Sequence, residues 1–354
     1  MAPMVRMVRT DHTAPMDNGK STSKSHHTVG TLILTLTRQC NLRCAYCPTV
    51  KEGWPSLTKE QAQKSIEIFL SLFGSGDIKL FGGEPFLNPE VLLFVLEYVR
   101  NISAIRHVYV STNGSKLSPR WLEILQNHRK TIVTVSMDGL PKFHQKLRRN
   151  IGSDPDSYDV VVSYLPELLK VPRLVVTQTV APSMAKHFER NFLHLRELGF
   201  KRFNFLPGYY LPWTEDQLML LRNGFDSVSK HIEISWLENQ YIYVRNLFVK
   251  APTPFFNQGL IVDADASIHP CNVGLSGSFD SLLSQTKVGD LEQPPTLEAL
   301  QESASQMNAL IQQHIPEHIW QSTLAADAEL TRFCDVLLPK FLAYRQLRQE
   351  RKYV

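Results

Sequence analysis

The sequence predicts an α/β protein: six β/α units on a mostly parallel sheet, followed by a smaller α+β extension. Two observations carry this reading. Six short β-branched or aromatic runs alternate with amphipathic helical segments between residues 31 and 206, and beyond about residue 232 the pattern changes to "IYVRNLFV" and "GLIVDADASIHPC". Parallel strands need crossover connections, which wind right-handed and place helices outside the sheet. Catalytic groups then gather at the C-terminal ends of the strands.

Residues 1–28 are rich in Ser, Thr, Lys, His and Asp without hydrophobic periodicity, and read as a disordered tail. The strands expected next are "TLILTL" (31–36), "DIKLF" (77–81), "HVYVS" (107–111), "TIVTVS" (131–136), "RLVVTQTV" (173–180) and "KRFNFL" (201–206). Helix starts are marked by capping boxes at Thr58 with Gln61 and Thr214 with Gln217. Asn88-Pro89 and Ser118-Pro119 place a capping side chain before a proline at the first helical position, and Gly199 marks a helix stop. The units are then a tail at 1–28, a barrel-like core at 29–231 and an extension at 232–354, with a helical tail from Pro295.

Composition excludes several classes. Hydrophobic residues make up 43% and charged residues 20% of the 354 positions, an ordinary globular balance. No apolar stretch approaches the roughly 18 residues that cross a bilayer. The first residues, "MAPMVRMVRTDHTAP", lack the apolar core of a secretory signal, so a cytoplasmic protein is expected. Net charge is +4, and the densest basic runs, "KLRRN" (146–150) and "RQLRQERK", read as solvated helix faces. Neither a membrane nor a nucleic acid is an expected partner.

Of five cysteines, Cys40, Cys44 and Cys47 fall inside "RQCNLRCAYC", directly after the first strand. In a cytosolic chain such clustering points to metal or thiol chemistry rather than disulfides. On spacing alone two readings stand. Three thiolates suit three irons of a [4Fe–4S] cluster and leave the fourth iron open; three cysteines with His26 or His27 suit a structural zinc.

"CNLRCAYC" resembles the signature of the radical S-adenosylmethionine (SAM) superfamily, and further segments agree in order and placement: "GGEP" (82–85), "STNG" (111–114), "SMDG" (136–139), and the strand ends "TQTVAP" and "FNFLP". The resemblance covers roughly residues 31–210. It implies a partial (β/α)6 TIM-like barrel, a [4Fe–4S] cluster held by Cys40, Cys44 and Cys47, and SAM on the open iron. By this resemblance Gly82 and Gly83 form the groove for the methionine part of SAM, their bare backbone approaching the ligand, and Glu84 accepts from its ammonium. Ser111, Thr112, Asn113, Ser136 and Asp138 offer polar groups to the ribose or amino-acid end. Arg148 or Arg149 clamps the SAM carboxylate, and Tyr46 lies against adenine.

"GLIVDADASIHPCNVG" with "KVGDLEQPPTLEAL" resembles the start of the SPASM/twitch-like auxiliary-cluster extension, shortened here because only Cys271 and Cys334 remain. Cys271 has two readings: a hydrogen-atom donor to a substrate radical, or a buried small apolar residue. The aromatic segment "FLPGYYLPW" (205–213) either lines a substrate pocket or seals a barrel edge. The expected function is a radical SAM enzyme that acts on a natural-product precursor, a sugar- or nucleoside-like small metabolite or a ribosomal peptide, with a flavodoxin or ferredoxin as electron donor. The alternatives are an activating enzyme for a glycyl-radical protein and a zinc-stabilised binding scaffold.

Overall fold

The computed structural model describes residues 30–49, 51–249, 251, 254, 257–272 and 281–350. The expected tail at 1–28, and His26 and His27 with it, lie outside them.

All six expected strands form: β1 (Gly30–Thr37), β3 (Gly76–Gly82), β4 (Ile105–Thr112), β5 (Thr131–Ser136), β7 (Val175–Val180) and β8 (Arg202–Pro207). Two short strands, β2 (Leu42–Cys44) and β6 (Arg148–Asn150), pair apart from the main sheet, and β9 (Tyr243–Val244), β10 (Gln258–Val262), β11 (Ser267–Cys271) and β12 (Gly289–Asp290) come from the extension. The main sheet runs β12-β11-β10-β1-β3-β4-β5-β7-β8-β9 and does not close. It is parallel from β10 through β9, with antiparallel pairing only at β10-β11-β12. The result is an open, partial barrel whose extension strands prolong the same sheet beyond β1.

The helices are α1 (Lys59–Phe73), α2 (Pro89–Val99), α3 (Pro119–Asn127), α4 (Pro141–Leu147), α5 (Ser157–Ser163), α6 (Leu165–Leu168), α7 (Phe188–Glu197), α8 (Glu215–Leu237), α9 (Leu283–Thr286), α10 (Leu297–His314) and α11 (Glu317–Glu350). Both capping boxes form as expected, and Ser118 accepts from Trp121 N at 3.4 Å. Asn88 does not cap α2. Its Nδ2 instead donates to Leu36 O and Leu57 O, each at 3.0 Å, tying the start of α2 to the end of β1. The strand-facing side of the helices and the outward face of the sheet share one core: Leu32, Leu34 and Leu36 of β1, Ile78 and Leu80 of β3, and Val108 and Val110 of β4 pack with Ile66, Phe69, Leu92 and Val95. Each such side chain contributes about 1.5–3 kcal/mol on burial, which commits the alternate residues of every strand to the barrel interior.

α8 runs continuously through the expected junction at 231/232. The long α11 packs back on α8, and across that contact Arg222 pairs with Glu329 and Arg332 with Asp226. The aromatic segment after β8 docks on α11: Tyr209 donates to Asp327 at 2.8 Å, Tyr210 N to Thr323 Oγ1 at 2.8 Å and Trp213 N to Ser322 Oγ at 2.6 Å. It seals that edge. No helix among the described residues is long and apolar enough to cross a membrane.

Candidate active site

The cysteine loop leaves the C-terminal end of β1 and is held from three sides. Below it, Gly83 N donates to Thr37 O at 2.9 Å and Glu84 N to Gln39 O at 2.8 Å. A Cβ on Gly82, whose φ is +130°, would meet Thr37 O at 2.1 Å, and one on Gly83 would meet Gln39 O at 2.1 Å. The glycine pair was expected to bare its backbone to a ligand; what its missing side chains admit is the backbone of the cysteine loop itself.

Glu84 is fully buried. Its carboxylate accepts from Asn113 N at 2.7 Å, Thr112 Oγ1 at 2.9 Å and Phe86 N at 3.2 Å. Burial pushes its carboxyl up to about 7, with those hydrogen bonds opposing the shift. Three of its roughly four acceptor positions are therefore committed to the protein, so Glu84 braces two loops and keeps about one position for a further donor. Thr112 and Asn113 are committed likewise. Asn113 Nδ2 reaches Asn41 Oδ1 at 3.1 Å and Cys40 Sγ at 3.8 Å, tying the end of β4 to the cysteine loop. Ser111 and Ser136 alternate with the outward-facing core residues and stand on the inward face, at the C-terminal ends of β4 and β5.

On the other side, the β2–β6 ladder pairs Cys44 directly with Arg148. The basic run expected to be a solvated face thus contributes a buried arginine. Arg148 Nε and Nη2 grip Asp138 at 3.0 and 3.2 Å, and Nη1 points at Cys44 Sγ at 3.9 Å. Asp138 also accepts from Tyr46 Oη at 2.6 Å and Thr179 N at 3.1 Å. The Arg148 guanidinium lies 5.4 Å from the centre of the Tyr46 ring. Arg148, Asp138 and Tyr46 form one closed network, so Arg148 is charge-balanced before any SAM carboxylate arrives. Behind it, burial holds His144 down at about 4 and therefore neutral; its Nδ1 accepts from Asp138 N at 3.3 Å.

Each thiol has its own donor. Cys40 Sγ faces Leu42 N at 3.4 Å, Cys44 Sγ faces Arg148, and Cys47 Sγ faces Lys51 Nζ at 3.5 Å. Burial raises the Cys40 thiol against the Leu42 N–H, and pushes Cys44 up to about 12 against the pull of Arg148. At Cys47 burial also raises the thiol, but Lys51 and Thr49 outweigh it and the net shift is downward. Sequence reading missed Lys51, Asn41 and a further brace: Arg38, fully buried, is paired with Asp263 at the end of β10, its Nε 3.1 Å from Oδ1 and its guanidinium 3.4 Å from the Trp54 ring centre. Only a lysine four residues past Cys47 was visible as a signal.

Among the described residues no three or more Cys, His, Asp or Glu side chains stand as a set for a single metal ion. A [4Fe–4S] cluster takes each thiolate on a separate iron, so its ligands need not converge on one point as those of zinc must. Three half-buried thiols on one loop, each with a cationic or amide N–H donor, fit that group. Cys271 does not join them. It is fully buried among Leu282, Met307, Ile311 and Trp320, surroundings that fit the packing reading of this thiol, and Cys334 packs against the separate main core.

A model of the radical SAM superfamily matches residues 34–209. Curated relatives include a GTP 3',8-cyclase 1 of Mycobacterium tuberculosis, 30% identical over 165 residues, 43% of each chain, and the molybdenum cofactor biosynthesis protein 1 of Bos taurus, 35% identical over 147 residues. The second match covers 39% of this chain and 22% of that protein, so less than half of either relative is spanned. Among solved structures, native anSMEcpe with bound AdoMet and Cp18Cys peptide superposes with a TM-score of 0.65 at 18% identity, covering 78% of this chain and 81% of the other. Streptococcus suis SuiB bound to precursor peptide SuiA gives 0.56 at 16%, covering 75% and 63%. These likenesses establish the shared fold.

Proposed function

We propose that this chain, matched over residues 34–209 by the radical SAM superfamily, is an enzyme of that superfamily using a [4Fe–4S] cluster and SAM, and that it opens SAM reductively at Cys40, Cys44 and Cys47 and directs the resulting radical at a C–H bond of a small polar metabolite. The observation that carries this is the cysteine loop, with three thiols in eight positions and a separate N–H donor aimed at each sulfur.

When bound, the cluster supplies the electron that cleaves SAM to methionine and a 5′-deoxyadenosyl radical. This chain's residues provide the setting. Leu42 N–H, Arg148 and Lys51 each pull their thiol toward thiolate, a pull that outweighs burial at Cys47 and opposes it at Cys40 and Cys44. Glu84, Thr112 and Asn113 hold the ends of β3 and β4 against the loop, so the ligand sulfurs keep their spacing. Ser111 and Ser136 face inward beside it and are the side chains available to orient SAM. The Asp138–Arg148 pair fixes Tyr46 and, being neutral overall, adds no net charge beside the sulfonium. The pair β10-β11 extends the wall next to β1.

The small-metabolite reading is supported by the inward face of the barrel, whose polar lining is half-accessible. GTP, named for the mycobacterial relative, is a substrate of that kind; the peptides named for the structural neighbours are the other. Assembly of a natural product and a flavodoxin or ferredoxin donor complete the proposal. The test is anaerobic reconstitution with iron and sulfide followed by reduction with SAM present. The expected products are methionine and 5′-deoxyadenosine in equal amounts, strictly dependent on the reductant. A brown, reducible protein that leaves SAM intact would overturn the reading.

A further inference from the structure

The interior of a closed β/α barrel is ordinarily filled with branched apolar side chains. Here the inward positions of β3 and β4 are Asp77, Lys79, Phe81, His107, Tyr109 and Ser111, all only partly covered, while the alternate outward positions are buried. Two cations meet on this face. Lys79 Nζ donates to the neutral Asn257 Oδ1 at 2.6 Å. Arg245, which follows β9 on the far edge of the sheet, reaches back so that its guanidinium lies 4.6 Å from the centre of the Tyr109 ring, and register places Tyr109 beside Lys79. The one carboxylate on the same stretch, Asp77, is bonded to Arg106 at 3.2 Å and to His107 at 3.3 Å. Neither Lys79 nor Arg245 makes an ion pair with a carboxylate among the described residues. One layer nearer the cysteine loop, the buried hydroxyls of Thr35 and Thr134 have no hydrogen-bond partner, and the register aligns Thr35 with Phe81 and Thr134 with Ser111.

Asp77 offsets part of the Lys79 charge but is itself shared with Arg106 and His107, so two like charges held close in a partly dry chamber are stabilised by an anion that enters between them. Unpartnered hydroxyls one layer above are the complement of a polar ligand body. We propose that the barrel interior holds an anion subsite, made by Lys79 and Arg245 with Tyr109 and Asn257, which grips a phosphate or carboxylate of the substrate and leaves its polar body under Thr35 and Thr134, toward the cluster. This deepens the small-metabolite reading above and rests on it. Burial and the neighbouring Arg245, opposed by Asp77, lower the Lys79 ammonium to about 8, so it still carries its charge at neutral pH.

The experiment is calorimetric titration of the cluster-loaded, full-length protein with SAM present, using inorganic pyrophosphate in one arm and malonate in the other. Saturable binding in either arm is expected, and the tighter arm identifies the substrate group as phosphoryl or carboxylate. Lys79→Gln and Arg245→Gln, checked for unchanged melting and iron content, should each weaken it about ten-fold or more, the scale of one charged hydrogen bond. Lys79→Arg, which keeps the charge, should retain binding even where the glutamine variants fold poorly. Neither anion binding at ~10 mM, or equal binding by wild type and both glutamine variants, would overturn the subsite. The parent reading is scored apart, by 5′-deoxyadenosine from the wild type, and its failure leaves the anion titration measurable.

Discussion

Replacing Cys40, Cys44 or Cys47 singly with alanine abolishes 5′-deoxyadenosine formation, with a loss greater than the ~10–100-fold typical of disturbing groups behind a metal ligand. The reason is a count of ligands. A [4Fe–4S] cluster has four irons, three thiolates satisfy three, and SAM needs the fourth; with two thiolates the cluster is lost or SAM competes for a second vacant iron. Colour and iron content of anaerobically purified variants should fall with the activity. Cys271→Ala serves as the control in the same assay. Its thiol is packed among Leu282, Met307, Ile311 and Trp320, so this variant keeps its iron and still cleaves SAM. Activity retained in any of the three loop variants would refute the ligand assignment.

Asp263→Ala destabilises the protein by about 3–5 kcal/mol, the range for breaking a buried ion pair from one side. Arg38 is fully covered, stacked on Trp54, and its Nη1 already lacks a partner; without Asp263 it is a buried charge with nothing to offset it. The same change should lower iron loading, because Arg38 stands two residues before Cys40 and Asp263 anchors it to β10. Chemical unfolding of the anaerobic protein measures the first effect and iron analysis the second. The paired change Arg38→Met with Asp263→Leu removes both charges and should recover most of the stability, since exchanging a buried pair for packed apolar groups is often neutral. A loss below about 1 kcal/mol in Asp263→Ala, the range of exposed pairs, would mean that the ion pair is water-accessible in solution.

What the sequence made legible was what local chemistry encodes. All six barrel strands were visible as short β-branched or aromatic runs set between helical segments, and the capping boxes at Thr58 and Thr214 need only four residues each. The three cysteines announced themselves by spacing. Less legible was anything set by contacts between distant segments. "GGEP" was recognisable, but nothing local says that the glycines admit the backbone of Thr37–Gln39, or that Glu84 is surrounded by Asn113, Thr112 and Phe86. Asn88 has the residue type of a cap and spends its amide on two carbonyls of other segments. Arg148 sat in a run that looks solvated, and only its pairing with Cys44 across β2–β6 turns it inward. The Arg38–Asp263 brace joins residues 225 apart, beyond the reach of any pattern.

The central claim is that the loop of Cys40, Cys44 and Cys47 carries a cluster with one iron open to SAM. Electron paramagnetic resonance of the reduced, reconstituted protein with and without SAM tests it most directly, alongside iron analysis. The account predicts about four irons per chain, the signal of a reduced [4Fe–4S] cluster, and a clear change in that signal when SAM binds. A protein without iron, or a cluster signal that SAM leaves untouched, would contradict it.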